Sequence, residues 1–218
     1  MINSSFVMLK QAPRQWFRKL TSFLLDFGFQ FSKADPSMLH YNKNGAQLYL
    51  LAYVDDILLS GNQPDITQHL LSQLKQRFSL KHMSQVDLFL GIQVLHTNTG
   101  LFLHQTHYAR DLLHSAGMES SKSVNTPISP RDSKLSSDND LFDNVTLYRQ
   151  LAGSLQYLTV TRPDIAYATN VVCQHMHSPT NTDFKRLKRL LRYVKGTQNY
   201  GIPLTSGPLV LTTFSDAD

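Results

Sequence analysis

The order of elements predicted along this sequence is typical of an α+β protein. Apolar residues recur at helical spacing in residues 14–27 and again in residues 65–78. Between these two helices, short apolar runs alternate with turn sequences, which is the pattern of antiparallel strands. A polar segment later precedes a stretch in which mainly helical patterns recur. We therefore expect an antiparallel sheet backed by helices, followed by a mainly helical region.

The elements of the first half follow from the spacing of apolar and turn residues. The apolar side chains of the first helix are Trp16, Phe17, Leu20, Phe23, Leu24 and Phe27. Apolar runs at residues 37–41 and 47–53 surround a turn sequence at residues 42–45, and a third run follows at residues 57–60. The sequence therefore predicts three antiparallel strands between two amphipathic helices.

The second half begins with another hairpin and continues mainly as helix. Apolar runs at residues 88–95 and 101–104 surround a turn, and a helix follows at residues 106–116. Residues 119–145 are rich in Ser, Asp, Asn and Pro, which indicates a long linker and the best internal boundary. Beyond it, the sequence predicts helices at residues 146–159, 163–177 and 182–195, and short strands near residue 202 and at residues 209–214.

The composition of the chain indicates which partners and which cell compartment to expect. The formal net charge of +5 suits a polyanionic partner, although many proteins that bind no nucleic acid are equally basic. The most apolar stretch, residues 48–59, is shorter than the roughly 20 residues that span a bilayer, and two aspartates interrupt it. The opening residues lack a secretory signal, so we expect a cytoplasmic or nuclear protein with no membrane partner. Cys173 lies in an apolar helical stretch, which predicts a packing role.

Two adjacent carboxylates lie between apolar strand patterns in the sequence Tyr53-Val54-Asp55-Asp56. Successive side chains on a strand point to opposite faces, so both carboxylates can approach one site only if the backbone turns sharply between them. A tight hairpin provides such a turn. Clustered carboxylates hold the two magnesium ions of polymerases, about 3.5–4 Å apart. The alternative interpretation is a solvated aspartate turn.

Several ordered blocks of the chain match one known family. They are Leu9-Lys10-Gln11-Ala12-Pro13-Arg14-Gln15-Trp16, Tyr53-Val54-Asp55-Asp56-Ile57-Leu58-Leu59, Phe89-Leu90-Gly91-Ile92, Gln105 with Tyr108, residues 153–159, 161–165 and 192–197, and Ser215-Asp216-Ala217-Asp218. Together they resemble a copia-type LTR-retrotransposon reverse transcriptase within a Pol polyprotein. Several motifs in the family's order make this resemblance far more specific than the aspartate pair alone.

The resemblance implies how the chain is divided and what single residues do. The implied regions are a partial palm with the YVDD hairpin at residues 1–87, a primer-grip hairpin and the start of the thumb at 88–118, a linker at 119–145, a helical connection region at 146–205 and a truncated start of a ribonuclease H domain at 206–218. The implied roles are catalysis and Mg²⁺ binding for Asp55 and Asp56, the nucleotide pocket for Gln11, Arg14 and Tyr53, the primer grip for Leu90 and Gly91, and the ribonuclease H site for Asp216. The implied partners are an RNA/DNA template-primer and, in an active enzyme, deoxynucleoside triphosphates.

One departure from the family pattern concerns the metal site. In the family, a strand ahead of the block at residues 9–16 bears an aspartate that holds both metals together with the hairpin carboxylates. Here the nearest substitutes are Asp26, in a predicted helix, and Asp35, in an Asp-Pro turn. Because that aspartate and the fingers are missing, we expect a catalytically inactive fragment with weak or vestigial Mg²⁺ binding. The alternatives are a polymerase complemented by another chain, a noncatalytic nucleic-acid-binding module, and a remnant with no selected role.

The helix predicted at residues 182–195 is strongly amphipathic. Its basic face consists of Lys185, Lys188, Arg189 and Arg192, and its apolar face consists of Leu187, Leu190, Leu191 and Val194. A basic face can follow a phosphate backbone and release counterions, which predicts RNA or DNA binding. A solvated charged face is the alternative interpretation.

Overall fold

The computed structural model divides the chain into two compact units, Met1–Val86 and Asp87–Asp218. The described residues are 12–53, 56–78, 85–129, 140–208, 210 and 213.

The first unit is an antiparallel sheet packed against two helices. Its elements are α1 (Ala12–Phe27), β1 (Gln30–Phe31), β2 (Met38–Lys43), β3 (Ala46–Tyr53), β4 (Asp56–Gly61) and α2 (Pro64–Phe78). The strands lie in the order β1-β2-β3-β4, and each pairs antiparallel with its neighbour. The predicted three strands and two helices are confirmed. The two-residue strand β1 is an addition, because two residues are too few to produce a periodic pattern.

The alternation of β3 explains how the first unit forms its core. Leu48 and Leu50 are buried, whereas the intervening Tyr49 and the terminal Tyr53 are exposed. Alternate side chains of a strand point to opposite faces, so one face of β3 can be apolar and covered while the other stays open. The buried core combines residues of the sheet, of both helices and of the loop after α1: Leu20, Phe23, Leu24, Phe29, Leu39, Ala46, Leu48, Leu50, Ala52, Leu70 and Leu74. The prediction of a sheet backed by these helices is confirmed.

The second unit combines a four-stranded antiparallel sheet with a helical core. Its elements are β5 (Leu88–Phe89), β6 (Ile92–Thr97), β7 (Gly100–His104), α3 (Thr106–Ser115), α4 (Val145–Leu158), a 3₁₀ turn (Pro163–Ile165), α5 (Ala166–Gln174), α6 (Asn181–Gly196) and β8 (Gly201–Thr205). The strand order is β5-β6-β7-β8. The strand near residue 202 was predicted, but its pairing with β7 was not, because nearly 100 residues separate the two strands.

Helices on both sides of the predicted linker share one core. Leu112 and Leu113 of α3 are buried in the same cluster as Leu151 and Leu155 of α4 and Leu190 of α6. The compact units therefore divide at Val86, and the segment expected to be the main internal boundary lies inside the second unit. The functional names given to the predicted regions remain predictions.

Cys173 lies on the margin of this helical core. Its side chain is half-buried, packs against the core and contacts the backbone oxygen of Ala152. Burial raises the pKa of the Cys173 thiol, which favours the unreactive protonated form. The predicted packing role is confirmed. Among the described residues, no helix combines the length and the apolar character needed to cross a bilayer.

We predict that Gly100→Ala disrupts the pairing of β7 with β8. Gly100 has φ +151°, and a Cβ atom there would lie 2.0 Å from the carbonyl oxygen of Leu204. The substitution should lower the free energy of unfolding of the second unit by more than about 1 kcal/mol and accelerate amide hydrogen exchange in β8. Gly153→Ala is the control, because beyond the adjacent residues and the backbone of its own helix no atom lies within 4 Å of the added methyl group. Unchanged exchange in β8 of the Gly100→Ala variant would contradict the prediction.

Candidate functional site

The predicted catalytic hairpin is formed by β3 and β4. Tyr53 pairs directly with Asp56, and the next two pairs along the hairpin are Ala52 with Ile57 and Leu51 with Leu58. Val54 and Asp55 lie between the paired ends, outside the described residues. The predicted pairing of the two flanking strands is confirmed.

Tyr53 and Asp56 lie on the sheet face that the helices leave open. Because directly paired residues share a face, Asp56 is on the same side as Tyr53 and Tyr49 and opposite the buried Leu48 and Leu50. Tyr53 is 53% exposed, and Asp56 is exposed as well. A carboxylate in this position remains hydrated and accessible to a cation.

Four other residues were predicted to lie near this site or to substitute for its missing ligand, and the structure describes three of them. Arg14 is exposed in the first turn of α1, whereas Gln11 lies outside the described residues. Asp26 is exposed on α1. Asp35 lies in the predicted turn, where its carboxylate accepts hydrogen bonds from the Ser37 hydroxyl at 2.6 Å and the Ser37 amide at 2.8 Å. These two bonds lower the pKa of Asp35.

The predicted primer-grip residues form a two-residue turn between β5 and β6. Leu90 and Gly91 both have positive φ, 49° and 74°, so the run expected as one strand at residues 88–95 is broken at this point. The Tyr157 hydroxyl donates a hydrogen bond to the Leu90 carbonyl oxygen. Tyr108 supports Tyr157 edge to face, with ring centroids 5.0 Å apart. Two helices therefore hold the turn in place.

The predicted basic face lies on α6, whose start is fixed by a capping box. The Thr180 hydroxyl accepts a hydrogen bond from the Asp183 amide at 3.2 Å, and the Asp183 carboxylate accepts one from the Thr180 amide at 3.0 Å. Lys185 and Lys188 are exposed, and the Lys188 ammonium lies 5.2 Å from the centre of the Phe184 ring. These two lysines occupy the position expected for contact with a partner.

The other two basic residues of this face hold a neighbouring segment of the same chain, residues 121–126, which we name the strap. Arg189 donates to the Thr126 hydroxyl at 2.8 Å, and Arg192 donates to the Lys122 carbonyl oxygen at 2.6 Å. These contacts join residues that are 63 and 70 positions apart, so helical periodicity alone could not predict them. Since both acceptors are neutral oxygens, neither bond neutralises the positive charge.

Asp216, predicted to match a ribonuclease H ligand, lies outside the described residues, as does Asp55. Within the part of the chain that the structure describes, no group of three or more His, Cys, Asp or Glu side chains is placed to hold a metal ion.

Comparisons with known proteins assign the sequence of this chain to a family. Residues 1–130 match the family described as reverse transcriptase (RNA-dependent DNA polymerase). The chain belongs to this reverse transcriptase family. It is 44% identical over 211 residues to the retrovirus-related Pol polyprotein from transposon RE1 of Arabidopsis thaliana, with 96% of this chain and 14% of that protein covered. No solved structure matches it.

Two further relatives match the chain over different lengths. The Pol polyprotein from transposon TNT 1-94 of Nicotiana tabacum is 30% identical over 228 residues, covering the whole of this chain and 17% of that protein. An uncharacterized mitochondrial protein of Arabidopsis thaliana is 46% identical over 172 residues, covering 78% of this chain and 71% of that protein. This reverse transcriptase chain therefore spans about one seventh of the RE1 polyprotein and about one sixth of the TNT 1-94 polyprotein.

A buried arginine organises the end of α6. Arg162 is 1% exposed and donates two hydrogen bonds to Asp164, at 2.8 and 2.7 Å. It also donates to the Thr197 carbonyl oxygen at 2.8 Å and to the Thr197 hydroxyl at 2.7 Å. Its guanidinium lies 5.3 Å from the centre of the Tyr200 ring. The residues that follow α6 are thus anchored to the turn that precedes α5.

The sequence blocks at residues 153–159 and 161–165 resembled the family, but their resemblance gave them no physical role. Tyr157 holds the Leu90–Gly91 turn, and Arg162 holds the end of α6. The available signal was chemical. An arginine inside an otherwise apolar stretch requires hydrogen-bond partners when it is buried, which applies to Arg162; the exposed Tyr157 gave no such signal.

We predict that Asp164→Asn weakens the second unit and reduces its sensitivity to acid. Burial raises the pKa of Asp164, but the hydrogen bonds and charge of Arg162 and the Tyr193 hydroxyl outweigh it and lower the pKa below the usual value. A lowered folded-state pKa contributes stability above the unfolded value of about 3.9 that is lost as pH falls through the folded-state pKa.

The variant should lose about 1–3 kcal/mol at neutral pH, less than for a fully buried pair, because the Asp164 side chain is one-third exposed. Its free energy of unfolding should also fall less than that of the wild type between about pH 5 and pH 2. Amide hydrogen exchange of α5 and α6 measures both effects. Asp111→Asn, which removes the same charge from an exposed position on α3, is the control. Equal acid sensitivity of the Asp164→Asn variant and the wild type would be inconsistent with the prediction.

Proposed function

We propose that this chain supplies the carboxylate hairpin of an RNA-directed DNA polymerase, with Asp55 and Asp56 as Mg²⁺ ligands. The observation that supports the proposal is the pairing of Tyr53 with Asp56 at the exposed end of β3 and β4, in a chain that belongs to the reverse transcriptase family. The open sheet face beside this end is where an RNA/DNA template-primer would lie.

The residue types at this hairpin suit the proposed metal. Mg²⁺ prefers hard oxygen ligands such as carboxylates, and Asp56 is exposed on the sheet face opposite the core that α1 and α2 form. Bound Mg²⁺ would activate the primer hydroxyl and stabilise the leaving pyrophosphate. Tyr53, beside the carboxylates, and Arg14, exposed at the start of α1, would orient the incoming deoxynucleoside triphosphate together with Gln11.

Two adjacent carboxylates on one turn cannot enclose two ions from opposite sides. A polymerase site therefore needs a further carboxylate from a separate strand. The family resemblance assigns that aspartate to a strand ahead of the block at residues 9–16. We therefore propose that the hairpin acts within a longer Pol polypeptide, and that the 218 residues by themselves do not support synthesis.

A noncatalytic nucleic-acid-binding role is the second candidate, and the surface of α6 favours it. Lys185 and Lys188 are exposed, and the charges of Arg189 and Arg192 are retained because their strap partners are neutral. Such a surface attracts a phosphate backbone whether or not the hairpin binds metal.

We predict that catalysis depends on the two hairpin aspartates. In a longer polypeptide that includes the family's aspartate-bearing strand, Asp55→Asn and Asp56→Asn should each reduce primer extension on an RNA template by at least about 100-fold, since each removes charge from an electrostatic clamp. Asp65→Asn, an exposed charge in the first turn of α2, should leave extension unchanged.

The 218-residue chain alone should give no measurable processive synthesis in the same assay. If it extended a primer and Asp55→Asn abolished that activity, a third ligand would have to lie within these residues. Asp26 and Asp35 would then be the first candidates for substitution.

We predict that Lys185 and Lys188, which are both exposed, contribute to duplex binding. Replacing both by Gln should weaken binding of an RNA–DNA hybrid and reduce the slope of log affinity against log salt by about 0.9 per lost phosphate contact. Fluorescence anisotropy over a salt series measures the slope. Lys19→Gln with Lys75→Gln removes equal charge from exposed positions on α1 and α2 and serves as the control. An unchanged slope in the Lys185/Lys188 variant would remove this helix face from the interface.

A further inference from the structure

A cavity of about 320 Å³ lies where α6 ends, between that end and α3. Arg110 of α3, Lys195 of α6 and residues 196–200 line it, and no carboxylate is among the lining residues. Within the described residues, the Arg110 side chain has no hydrogen bond or ion pair. The cavity therefore combines space with a cationic group that has no neutralising partner in the described chain.

Three of the backbone oxygens around this cavity already accept hydrogen bonds from donors of the same chain. The Thr197 carbonyl oxygen accepts from Arg162, and the Gln198 carbonyl oxygen accepts from the Thr106 hydroxyl at 3.2 Å. The Lys195 carbonyl oxygen accepts from the Gln198 side-chain amide at 3.2 Å. Each oxygen that already accepts a bond from within the protein has less capacity left for a ligand, whereas the Arg110 guanidinium keeps its donors. The lining is thus suited to an acceptor-rich anion.

Lys195 adds positive charge to the lining and is itself held in position. Its ammonium donates to the Ser121 carbonyl oxygen of the strap at 2.5 Å, which leaves two further N–H donors and the full charge. Arg192, one turn earlier on α6, also bonds to a strap carbonyl oxygen. The strap therefore orders these cations without neutralising them, so that less side-chain entropy remains to be lost on binding.

We propose that this cavity binds a phosphate group of a nucleic-acid backbone, with Arg110 and Lys195 as its ligands. The proposal rests on the nucleic-acid partner in the proposed function and adds a site to it. A planar guanidinium and an ammonium are the groups that proteins use for phosphate oxygens. Tyr200, 55% exposed at the rim, offers a ring face to the adjoining sugar or base.

Arg162 acts on this site as a positioning residue. It contacts Thr197 and the Tyr200 ring, both of which line the cavity, yet it is itself 1% exposed. It can therefore affect the ligand only through the position of residues 197–200. The phosphate contacts themselves belong to Arg110 and Lys195.

The test measures the affinity of the full chain for a labelled RNA–DNA hybrid by fluorescence anisotropy at a series of salt concentrations. Arg110→Gln should weaken binding by about 3- to 10-fold and reduce the salt slope by about 0.9, the value for one lost phosphate contact. Arg18→Gln, which removes the same charge from an exposed position on α1, should change neither quantity. Because Arg110 is exposed, the fold should survive the change, and circular dichroism checks this.

A second measurement separates a nucleic-acid phosphate from a small anion. Inorganic phosphate is titrated into the wild type at constant ionic strength, and the amide chemical shifts of residues 196–200 are followed by NMR. Loss of duplex affinity in Arg110→Gln, with little response to inorganic phosphate, supports the proposal. A saturable response to inorganic phosphate with unchanged duplex binding in the variant would assign the cavity to a small anion and overturn it.

The two proposals fail in different ways. If the wild-type chain binds no hybrid duplex at low salt, both the nucleic-acid partner and this site are wrong. If the wild type binds and Arg110→Gln matches Arg18→Gln, the cavity is not part of the interface, and the proposed function is unaffected.

Discussion

Helices α1 and α2 pack against one face of the first sheet, and this asymmetry governs both the core and the site. Leu24 of α1 and Leu70 of α2 share one buried cluster with Leu48 and Leu50 of β3. The two-residue period of the strand then places Tyr53 on the opposite face, and Asp56 lies across from it. A shift of one residue in the register would move the Asp56 carboxylate toward the helices, where an unpaired charge is strongly unfavourable. Core packing and site exposure therefore have a single cause.

Basic side chains have different partners in the interior and at the surface of the second unit. The buried Arg162 is paired with the carboxylate of Asp164, because a buried guanidinium without a counterion would carry a large desolvation penalty. Arg189, Arg192 and Lys195 lie nearer the surface and are held by a hydroxyl and two carbonyl oxygens. Neutral acceptors fix the direction of these side chains without removing their charge. The same residue type is thus structural in one place and available for electrostatic attraction in the other.

How far the sequence could predict this protein depended on the distance over which each signal acts. Helical spacing and strand alternation act over a few residues, and they located α1, α2, β2, β3, β4 and the later helices within a few residues. The break at Leu90 and Gly91 was missed because an apolar leucine with positive φ has no pattern of its own. The partner of β8, the strap on α6 and the cavity beside Arg110 all depend on contacts between residues far apart in sequence. Local patterns contain no information about such contacts.

The cationic surface of the second unit is assembled from three separate stretches of sequence. Arg110 comes from α3, the strap supplies residues 121–126, and α6 with the loop after it supplies residues 189–200. None of these stretches could fix the spacing of the cations alone, because an isolated helix or loop is marginally stable and its long basic side chains are free to rotate. The apolar core shared by α3, α4 and α6 brings the stretches together. Any nucleic-acid-binding function of this surface therefore requires the second unit to fold as a whole, from the strands before α3 to β8.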